Sequence, residues 1–303
     1  MRSLVIGYGS IGSRHASVLS KLKCDVSVVS SRKNERYTCF QSIELALERN
    51  HFDQIIIANP TNNHFETLNK ISNCNFHGTI LVEKPLFSKL EQLPNNENIY
   101  VAYNLRFHAL IQKIRVLLQD EELISCSVQV GSYLPNWRKN SDYRECYSTK
   151  KEYGGGVLRD LSHEIDYILW VCGKCNEVTA VGGHYSDLEI TSDDVYAILM
   201  RCERCPIINL QLDYLNKMPT RQITIHTKKN NSFFLDLIKG ELSINGDLTL
   251  KAQGAISKTY MAQHELMLKK DFTDFCDYQQ GLSVVKLIET IEQASFEKKW
   301  VTL

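Results

Sequence analysis

The sequence lacks an excess of charge of either sign. Among its 303 residues, 35 lysines and arginines balance 35 aspartates and glutamates, so the formal net charge is zero. Proteins that bind nucleic acid usually carry a basic tract or patch, and none stands out along this chain. We therefore expect no nucleic-acid partner.

Long apolar runs are missing as well. The longest, such as residues 54–58 and 167–172, are far shorter than the roughly 20 residues that a membrane-spanning helix requires. The first apolar run begins at Leu4 and meets a glycine at Gly7, so the chain shows no apolar segment of a signal peptide. The sequence predicts a cytoplasmic protein that does not associate with membranes.

The ten cysteines are scattered, and in a reducing compartment they are expected to be free thiols. Two pairs nevertheless have C-x-x-C spacing, Cys172 with Cys175 and Cys202 with Cys205. Four thiolates can hold a structural zinc ion, although the stretch between these pairs is longer than in zinc ribbons. In the alternative interpretation, Cys172 ends an amphipathic helix and Cys202 and Cys205 flank a hairpin turn. We favour this alternative and predict no metal site.

The first hundred residues alternate between short apolar runs and amphipathic stretches. The predicted strands cover residues 4–6, 25–30, 54–58, 79–83 and 99–103, and the predicted helices cover residues 13–23, 43–50 and 64–72. Strands that alternate with helices in this way are typical of a doubly wound parallel sheet. We predict that a first domain comprises residues 1–105.

The pattern changes after residue 104. Longer strand-like stretches follow one another with few helices between them, over residues 124–132, 177–184, 195–201, 207–214, 222–227, 232–236 and 241–244. The C-terminal part turns helical again over residues 265–280 and 282–298. This pattern predicts an α+β domain over residues 106–303 with an open, largely antiparallel mixed sheet, and an α/β fold class for the whole chain.

A glycine-rich turn follows the first predicted strand and opens the first predicted helix. Gly7, Gly9 and Gly12 form a G-x-G-x-x-G pattern, which permits a tight turn, close approach of a pyrophosphate and close packing of the helix on the strand. The helix N-terminus, with Ser10 and Ile11, offers N–H donors to phosphate oxygens. We predict that this turn binds a dinucleotide.

The acid that selects NAD is missing from the end of the second predicted strand. An aspartate or glutamate usually binds the ribose hydroxyls there, but this strand ends in Ser30, Ser31, Arg32 and Lys33. Hydroxyls and cations suit a 2′-phosphate. We therefore predict NADP(H) as the preferred cofactor and NAD(H) as the second option, while a solvated loop is the alternative interpretation of these residues.

Five segments together resemble the Gfo/Idh/MocA family of sugar and inositol oxidoreductases. They occur in the family's order and span nearly the whole chain: residues 7–15 (GYGSIGSRH), 58–64 (ANPTNNH), 83–86 (EKPL), 103–107 (YNLRF) and 154–166 (GGGVLRDLSHEID). The resemblance implies an N-terminal Rossmann domain. It also implies a C-terminal substrate domain whose exposed sheet face makes a homodimer or homotetramer.

The resemblance implies a catalytic role for Lys84, Asp160 and His163. Lys84 follows the predicted strand 79–83 at the ligand-binding edge of the sheet, where its ammonium can stabilise charge on a substrate oxygen. His163 is the implied base for the hydroxyl proton, and Asp160 orients the substrate or the imidazole. On local grounds Asp160 could instead cap a helix, and His163 could be a buried interface histidine. Many family members leave three residues between this Asp and His, whereas this sequence leaves two.

Further contacts follow from the same resemblance. The implied cofactor contacts are Asn59, Pro60, Thr61, His64, Glu83, Lys84 and Pro85. The implied substrate contacts are Tyr103, Asn104 and Arg106. The loop 132–147 is rich in Trp, Tyr and Arg, and from this composition we predict further substrate contacts at Tyr133, Trp137, Arg138 and Tyr143. The aromatic rings of this loop suit stacking on sugars, although the loop could equally serve an interdomain or subunit contact.

The predicted function is an NAD(P)-dependent oxidoreductase that transfers hydride between nicotinamide and the CH–OH or C=O group of a sugar, sugar nucleotide or cyclic polyol. The alternative is a non-catalytic, dinucleotide-sensing regulatory protein of the same fold. A sensor needs only the cofactor cleft, so the presence of Lys84, Asp160 and His163 favours the enzyme.

Overall fold

The computed structural model describes residues 1–32, 35–93, 97–138 and 142–303. Lys33 of the predicted cofactor loop lies outside these ranges. So do residues 139–141 of the loop 132–147, which we call the aromatic loop. The chain divides into a first unit, Met1–Asn104 with Tyr260–Val285, and a second unit, Leu105–Thr259 with Lys286–Leu303. The predicted domains, 1–105 and 106–303, stay a prediction; the units differ from them chiefly in the segment Tyr260–Val285.

The first unit contains a seven-stranded sheet in the order β15-β6-β5-β4-β1-β2-β3. All its neighbouring strands pair in parallel except β15, which is antiparallel to β6. The strands are β1 (Arg2–Ile6), β2 (Asp25–Val29), β3 (Thr38–Phe40), β4 (Gln54–Ile57), β5 (Thr79–Val82), β6 (Ile99–Val101) and β15 (Cys276–Asp277). Strand β4 is buried throughout, as expected for a central strand covered on both faces.

Three helices connect the strands of this sheet. They are α1 (Ser10–Lys21), α2 (Ile43–Arg49) and α3 (His64–Asn73). Helix α1 buries residues at positions i, i+3, i+4 and i+7, namely Gly12, His15, Ala16 and Leu19, so one stripe faces the core. Helix α2 begins after Ser42, whose side chain accepts a hydrogen bond from the Leu45 amide and caps the helix.

The second unit contains a nine-stranded sheet in the order β14-β13-β12-β11-β7-β10-β9-β8-β16. Among the described residues of this sheet, β7 and β10 pair in parallel and all the other neighbouring strands pair antiparallel. The strands are β7 (Leu123–Gly131), β8 (Cys175–Gly183), β9 (Val195–Cys202), β10 (Ile207–Asp213), β11 (Thr220–Thr227), β12 (Ser232–Asp236), β13 (Glu241–Ile244), β14 (Asp247–Lys251) and β16 (Val301–Thr302). The predicted fold class, with its largely antiparallel second sheet, is confirmed.

The remaining helices are α4 (Ala109–Leu117), α5 (Val157–Asp160), α6 (Ser162–Cys172), α7 (Ala255–Leu268) and α8 (Tyr278–Glu297). Within the described ranges, no helix is both long enough and apolar enough to cross a membrane.

The predicted helix over residues 265–280 is wrong. Helix α7 starts ten residues earlier and ends at Leu268, because the chain turns at Lys270, where φ is +57°. The amide of Lys270 donates to the Met267 carbonyl and the amide of Asp271 to the Leu266 carbonyl, which is the hydrogen-bond pattern of a left-handed helix terminus. Glycine or asparagine usually occupies this position of a helix end, so a lysine gave no sequence signal for the end of the helix at Leu268.

Candidate functional site

The glycine turn between β1 and α1 is built for close main-chain contact. Gly7 has φ +91°, and a Cβ there would lie 2.6 Å from the Asn59 amide nitrogen. A Cβ on Gly12 would lie 1.9 Å from the Gly7 carbonyl oxygen. Side chains at either position would therefore force helix α1 away from the strands.

Gly9 has the opposite environment. A Cβ there would meet no atom within 4 Å, so the main chain at this point borders open space. Gly9 caps helix α1 without a side chain, and the first turn of the helix carries no acidic residue. The first amides of a helix lack intrahelical acceptors and favour anions. The turn with Ser10 and Ile11 thus fits the pyrophosphate of a dinucleotide.

The loop after β2 carries the residues predicted to select the cofactor. The Arg32 amide donates to Ser30 Oγ over 3.0 Å, and the Ser30 amide donates to the Phe40 carbonyl over 3.3 Å. Ser31 and Arg32 are exposed. The loop therefore presents hydroxyls and a guanidinium, with no acid among residues 30–32.

Three residues that the sequence analysis did not single out lie close together in the same unit. The rings of Tyr8 and Tyr37 meet edge to face with centroids 6.0 Å apart. The guanidinium of Arg36 lies 5.3 Å from the Tyr37 ring centroid. The tyrosine inside the glycine pattern was the available signal, but its partner is 29 positions further along the chain and is not revealed by local spacing.

The loop after β4 is tied to the loop after β5 through His64. Its Nε2 lies 3.1 Å from the Asn59 carbonyl, and its Nδ1 lies 3.1 Å from the carbonyls of both Pro85 and Leu86. Burial lowers the pKa of His64 despite these carbonyls. His64 therefore ties the loop after β4 to the loop after β5, and its predicted contact with the cofactor stays a prediction.

The predicted contacts at the start of this loop differ in exposure. Pro60 is exposed, whereas Thr61 is buried. Asn59 donates from Nδ2 to Thr67 Oγ1 over 2.7 Å. Its Oδ1 is buried and has no hydrogen-bond partner among the described residues, so it fits a donor group on a bound cofactor.

Lys84 follows β5, where Glu83 shapes the main chain. Glu83 is only 8% exposed; its Oε1 lies 2.8 Å from His15 Nε2, and its Oε2 accepts the Lys84 amide over 3.1 Å. Burial alone would raise the pKa of Glu83, but the hydrogen bond from His15 and the neighbouring Lys84 outweigh it and lower the pKa. Glu83 is therefore an anion. The Lys84–Pro85 peptide bond is cis.

Arg106, a predicted substrate contact, is bound to an acid on helix α6. Its Nε and Nη2 lie 2.9 and 2.7 Å from the carboxylate oxygens of Asp166, and the pair is almost fully buried. The guanidinium also lies 5.0 Å from the Trp170 ring centroid. These contacts fix the position of the Arg106 side chain, and its predicted contact with a substrate stays a prediction. Tyr103 and Asn104, the other two predicted contacts in this stretch, are buried in the first unit.

Asp160 is the last residue of α5, so it does not cap a helix N-terminus. Its amide donates to the Gly156 carbonyl over 2.9 Å. Gly156 has φ +122°, and a Cβ there would lie 2.2 Å from Asp193 Oδ1. Asp193 in turn accepts the Leu158 amide through Oδ2 over 3.0 Å. The glycine run thus lets this short helix sit directly against the Asp193 side chain.

Two tyrosines, the half-buried Tyr147 and the fully buried Tyr214, hold the Asp160 carboxylate. Tyr147 donates to Oδ1 and Tyr214 donates to Oδ2, each over 2.6 Å. Burial and the charge of Asp160 raise the pKa of both phenols well above the ordinary value, so both remain donors. We call Asp160, Tyr147 and Tyr214 the carboxylate clamp. His163 lies three residues after Asp160, near the start of α6, and is half-buried.

The aromatic loop approaches the carboxylate clamp through Trp137. The Trp137 ring meets Tyr214 edge to face with centroids 5.2 Å apart, and its Nε1 donates to Ser132 Oγ over 2.7 Å. Trp137 is 38% exposed, which leaves part of the ring accessible. The other three predicted contacts of this loop have different surroundings. The Lys217 ammonium lies over the Tyr133 ring, and the Tyr143 hydroxyl accepts a hydrogen bond from the Glu189 amide. Arg138 is exposed.

The paired cysteines lie in the second unit. Cys172 ends α6, as predicted, and Cys202 and Cys205 flank the turn between β9 and β10 with their main chains hydrogen-bonded to each other. Cys175 lies opposite Cys202 in the β8–β9 ladder. Among the described residues, no group of three or more His, Cys, Asp or Glu is arranged to hold a metal ion.

Solved structures resemble this chain over its whole length at low sequence identity. Each of three covers 100% of this chain: levoglucosan dehydrogenase in complex with NADH and levoglucosan (15% identity, TM-score 0.84, 99% of that chain), the WlbA dehydrogenase from Bordetella pertussis in complex with NADH and UDP-GlcNAcA (15%, 0.82, 97%) and a myo-inositol dehydrogenase from Corynebacterium glutamicum (16%, 0.79, 98%). These likenesses establish the fold. A comparison with curated protein sequences gives no match.

Two family models match successive parts of the chain. The model for an oxidoreductase family with an NAD-binding Rossmann fold matches residues 1–108, and the model for the GFO/IDH/MocA C-terminal domain matches residues 111–231. The glycine turn lies in the first match, and the carboxylate clamp lies in the second. The chain therefore belongs to the Gfo/Idh/MocA family of oxidoreductases.

Proposed function

We propose that this protein is an NAD(P)-dependent dehydrogenase or reductase that acts on a CH–OH or C=O group of a sugar, a sugar nucleotide or a cyclic polyol. The observation that carries the proposal is the carboxylate clamp, whose Asp160 lies three residues before His163. A protein that only senses a dinucleotide has no need for a buried carboxylate held in one orientation by two phenols. The dehydrogenases with similar folds bind NADH with a sugar or a nucleotide sugar.

Nicotinamide, when bound, supplies or accepts the hydride. Lys84 stabilises negative charge on the substrate oxygen as the hydroxyl becomes a carbonyl, because an ammonium acts most strongly on charge that develops in the transition state. His163 takes the hydroxyl proton, since imidazole titrates near neutral pH. Asp160 is fixed by Tyr147 and Tyr214 and orients either the substrate or the imidazole.

We propose NADP(H) as the preferred cofactor and NAD(H) as the second one. Ser30, Ser31 and Arg32 supply hydroxyls and a guanidinium where NAD-selective proteins carry an acid. Arg36 provides a second cation in the same unit. A guanidinium pairs well with a phosphate through charge-assisted hydrogen bonds. The remaining cofactor contacts in the proposal come from the glycine turn, Asn59–Thr61 and Glu83–Pro85, with His64 supporting the last two loops.

We propose that the substrate is carbohydrate-like and that Trp137 stacks on its ring. The ring of Trp137 is partly accessible and lies against Tyr214 of the carboxylate clamp. Aromatic faces suit the apolar faces of sugar rings, while nearby donors suit the hydroxyls. Tyr103, Asn104, Tyr133, Arg138 and Tyr143 complete the proposed substrate contacts. Arg106, which Asp166 and Trp170 hold in place, is a further proposed substrate contact.

We also propose that the protein is a homodimer or homotetramer. The nine-stranded sheet exposes large apolar side chains on its outward positions, among them Ile124 of β7, Val181 of β8, Leu199 of β9 and Ile207 of β10. Exposed apolar patches of this kind mark interaction sites.

The cysteines are free thiols, which suits a reducing compartment, so a cytoplasmic location is part of the proposal.

A turnover screen tests the proposed function. Purified protein is incubated with NADP⁺ or NAD⁺ and a panel of sugar acids, nucleotide sugars and inositols, and reduced nicotinamide is followed by absorbance. We expect turnover within one of these classes, with NADP⁺ preferred. Tight cofactor binding without turnover in either direction on the whole panel would instead support the regulatory protein of the same fold.

A further inference from the structure

The first unit contains a continuous row of three buried titratable side chains that the proposed mechanism does not use directly. His264 of α7 places Nε2 2.7 Å from Nδ1 of His15, which lies on α1. The other nitrogen of His15, Nε2, lies 2.8 Å from Oε1 of Glu83. Both imidazoles are 0% exposed. The row therefore runs from the interior of the unit to the residue that precedes Lys84.

The groups packed around this row are defined. The Tyr260 ring meets His15 edge to face with centroids 5.2 Å apart, and the guanidinium of Arg14 lies 5.1 Å from the Tyr260 ring centroid. Lys84 adjoins Glu83 at the other end. His64 of α3 also interacts with the charge of Glu83, which opposes the effect of burial on the pKa of His64.

The hydrogen bonds restrict where the protons lie. Glu83 is an anion that accepts, so His15 Nε2 carries a proton. Only one proton fits between His15 Nδ1 and His264 Nε2. It belongs either to His264, which leaves His15 neutral, or to His15, which makes His15 a buried imidazolium.

The far end of the row distinguishes these two arrangements. His264 Nδ1 is buried and has no hydrogen-bond partner among the described residues. If His15 were an imidazolium, the proton of neutral His264 would lie on Nδ1 as a buried donor without an acceptor, and such donors are rare in folded proteins. If His264 donates from Nε2, only a bare nitrogen is left unpaired. Burial and the neighbouring His15 also lower the pKa of His264.

We propose that His15 and His264 are positioning residues for Lys84. Both imidazoles are neutral and protonated on Nε2, so the row donates in one direction, from His264 through His15 to Glu83. With Oε1 of Glu83 held in this way, Oε2 is directed at the Lys84 amide and fixes the main chain from which the lysine side chain extends. The effect on the reaction rests on the proposed function, whereas the proton arrangement does not.

Nuclear magnetic resonance of ¹⁵N-histidine-labelled protein tests the proton arrangement without any substrate. His15→Gln and His264→Gln assign the two rings, and His77→Gln, at an exposed position, is the matched control. We expect both rings to show protonated Nε2 and bare Nδ1. The His264 signals should stay unchanged between about pH 6 and 8, where a free imidazole titrates, because burial lowers the pKa of His264. An imidazolium signature at His15, or a proton on Nδ1 of His264, would overturn the proposal.

Two substitutions of His264 test the positioning role. His264→Leu removes the donor to His15, whereas His264→Gln retains an amide N–H that can replace it. We expect His264→Leu to lower kcat about 10-fold, with the Kd for NADPH changed less than about twofold, and His264→Gln to restore most of the loss. Unchanged kcat in His264→Leu, or equal loss in both variants, would overturn the role.

The two tests fail independently of the proposed function. If no substrate is turned over by the parent protein, the proposed function fails, yet the ring spectra still decide the proton arrangement. If His264→Leu does not fold, His264→Gln and the spectra of the parent protein decide instead. His264→Gln would also contradict the proposal if it lowered kcat as strongly as Lys84→Ala while the spectrum of the His15 ring stayed that of the parent protein.

Discussion

In the first unit the candidate functional groups are mostly main-chain atoms, whereas in the second unit they are side chains. The glycine turn presents amides and open space at Gly9, and Glu83 fixes the main chain at Lys84. The second unit instead holds Asp160 between two phenols that are 13 and 54 positions away. A cradle for an invariant cofactor suits the main chain, while recognition of a particular substrate suits exchangeable side chains.

Replacement of His163 in the second unit is expected to lower kcat more than any other single substitution. His163→Ala is expected to lower kcat by about 10²–10⁴ and to flatten one limb of the pH–rate profile, since the variant lacks the proposed base for the hydroxyl proton. Steady-state kinetics across the pH range measure both changes. His77→Ala serves as a control at an exposed position. A pH profile of the parent shape in His163→Ala would assign the base to another residue.

Lys84 provides the corresponding test in the first unit. Lys84→Ala is expected to lower kcat by about 10²–10³, because the ammonium acts chiefly on charge that forms in the transition state. NADPH binding, followed by nicotinamide fluorescence, should remain close to that of the parent. Lys89→Ala, at an exposed position five residues further on, is the matched control. A large loss of cofactor affinity with little change in kcat would make Lys84 a cofactor contact only.

The carboxylate clamp is expected to give an intermediate effect. Tyr147→Phe and Tyr214→Phe each remove a hydrogen bond to a charged group worth about 1.5–3 kcal/mol, which corresponds to a loss of about 10- to 100-fold in kcat/KM. Cofactor affinity should not change. Tyr153→Phe, at an exposed position, controls for loss of a phenol elsewhere. Full activity of the Tyr147→Phe, Tyr214→Phe double variant would show that the orientation of Asp160 is irrelevant to turnover.

The smallest expected effect concerns cofactor choice. Arg32→Ala should weaken NADPH binding by about 1.5 kcal/mol, or roughly 10-fold, while NADH binding stays the same, because only the 2′-phosphate is available to the guanidinium. Fluorescence titration of both cofactors measures the difference. Arg49→Ala is the control at another exposed position. Equal affinities for NADPH and NADH in the parent protein would contradict the proposed preference.

The same contrast explains what the sequence could and could not predict. The alternation of strands and helices and the glycine spacing depend on neighbouring residues, so the parallel sheet and the turn at Gly7–Gly12 could be predicted. The short strands Thr38–Phe40, Asp247–Lys251 and Val301–Thr302 were missed because few residues carry their pattern. Helix α7 was misplaced because its end depends on a left-handed Lys270.

Partners distant in the sequence could not be predicted. Asp160 was identified through the family resemblance, but Tyr147 and Tyr214 were not, since no local spacing links them to it. Arg106 was named as a substrate contact through the same resemblance, but its ion pair with Asp166, 60 positions away, could not be predicted. His15 lies inside the glycine motif, yet its contact with His264 joins residues that are 249 positions apart.

The transfer of deuteride from NADPH that carries deuterium at both C4 positions tests the proposed hydride transfer directly. Parent protein is incubated with this cofactor and the carbonyl form of the substrate found in the screen, and the product is analysed by mass spectrometry. A carbonyl that takes up the deuteride and one solvent proton becomes CD–OH, so we expect deuterium on the alcohol carbon, formed far more slowly by Lys84→Ala and His163→Ala. Product without carbon-bound deuterium, or equal rates in the parent and both variants, would contradict hydride transfer assisted by these residues.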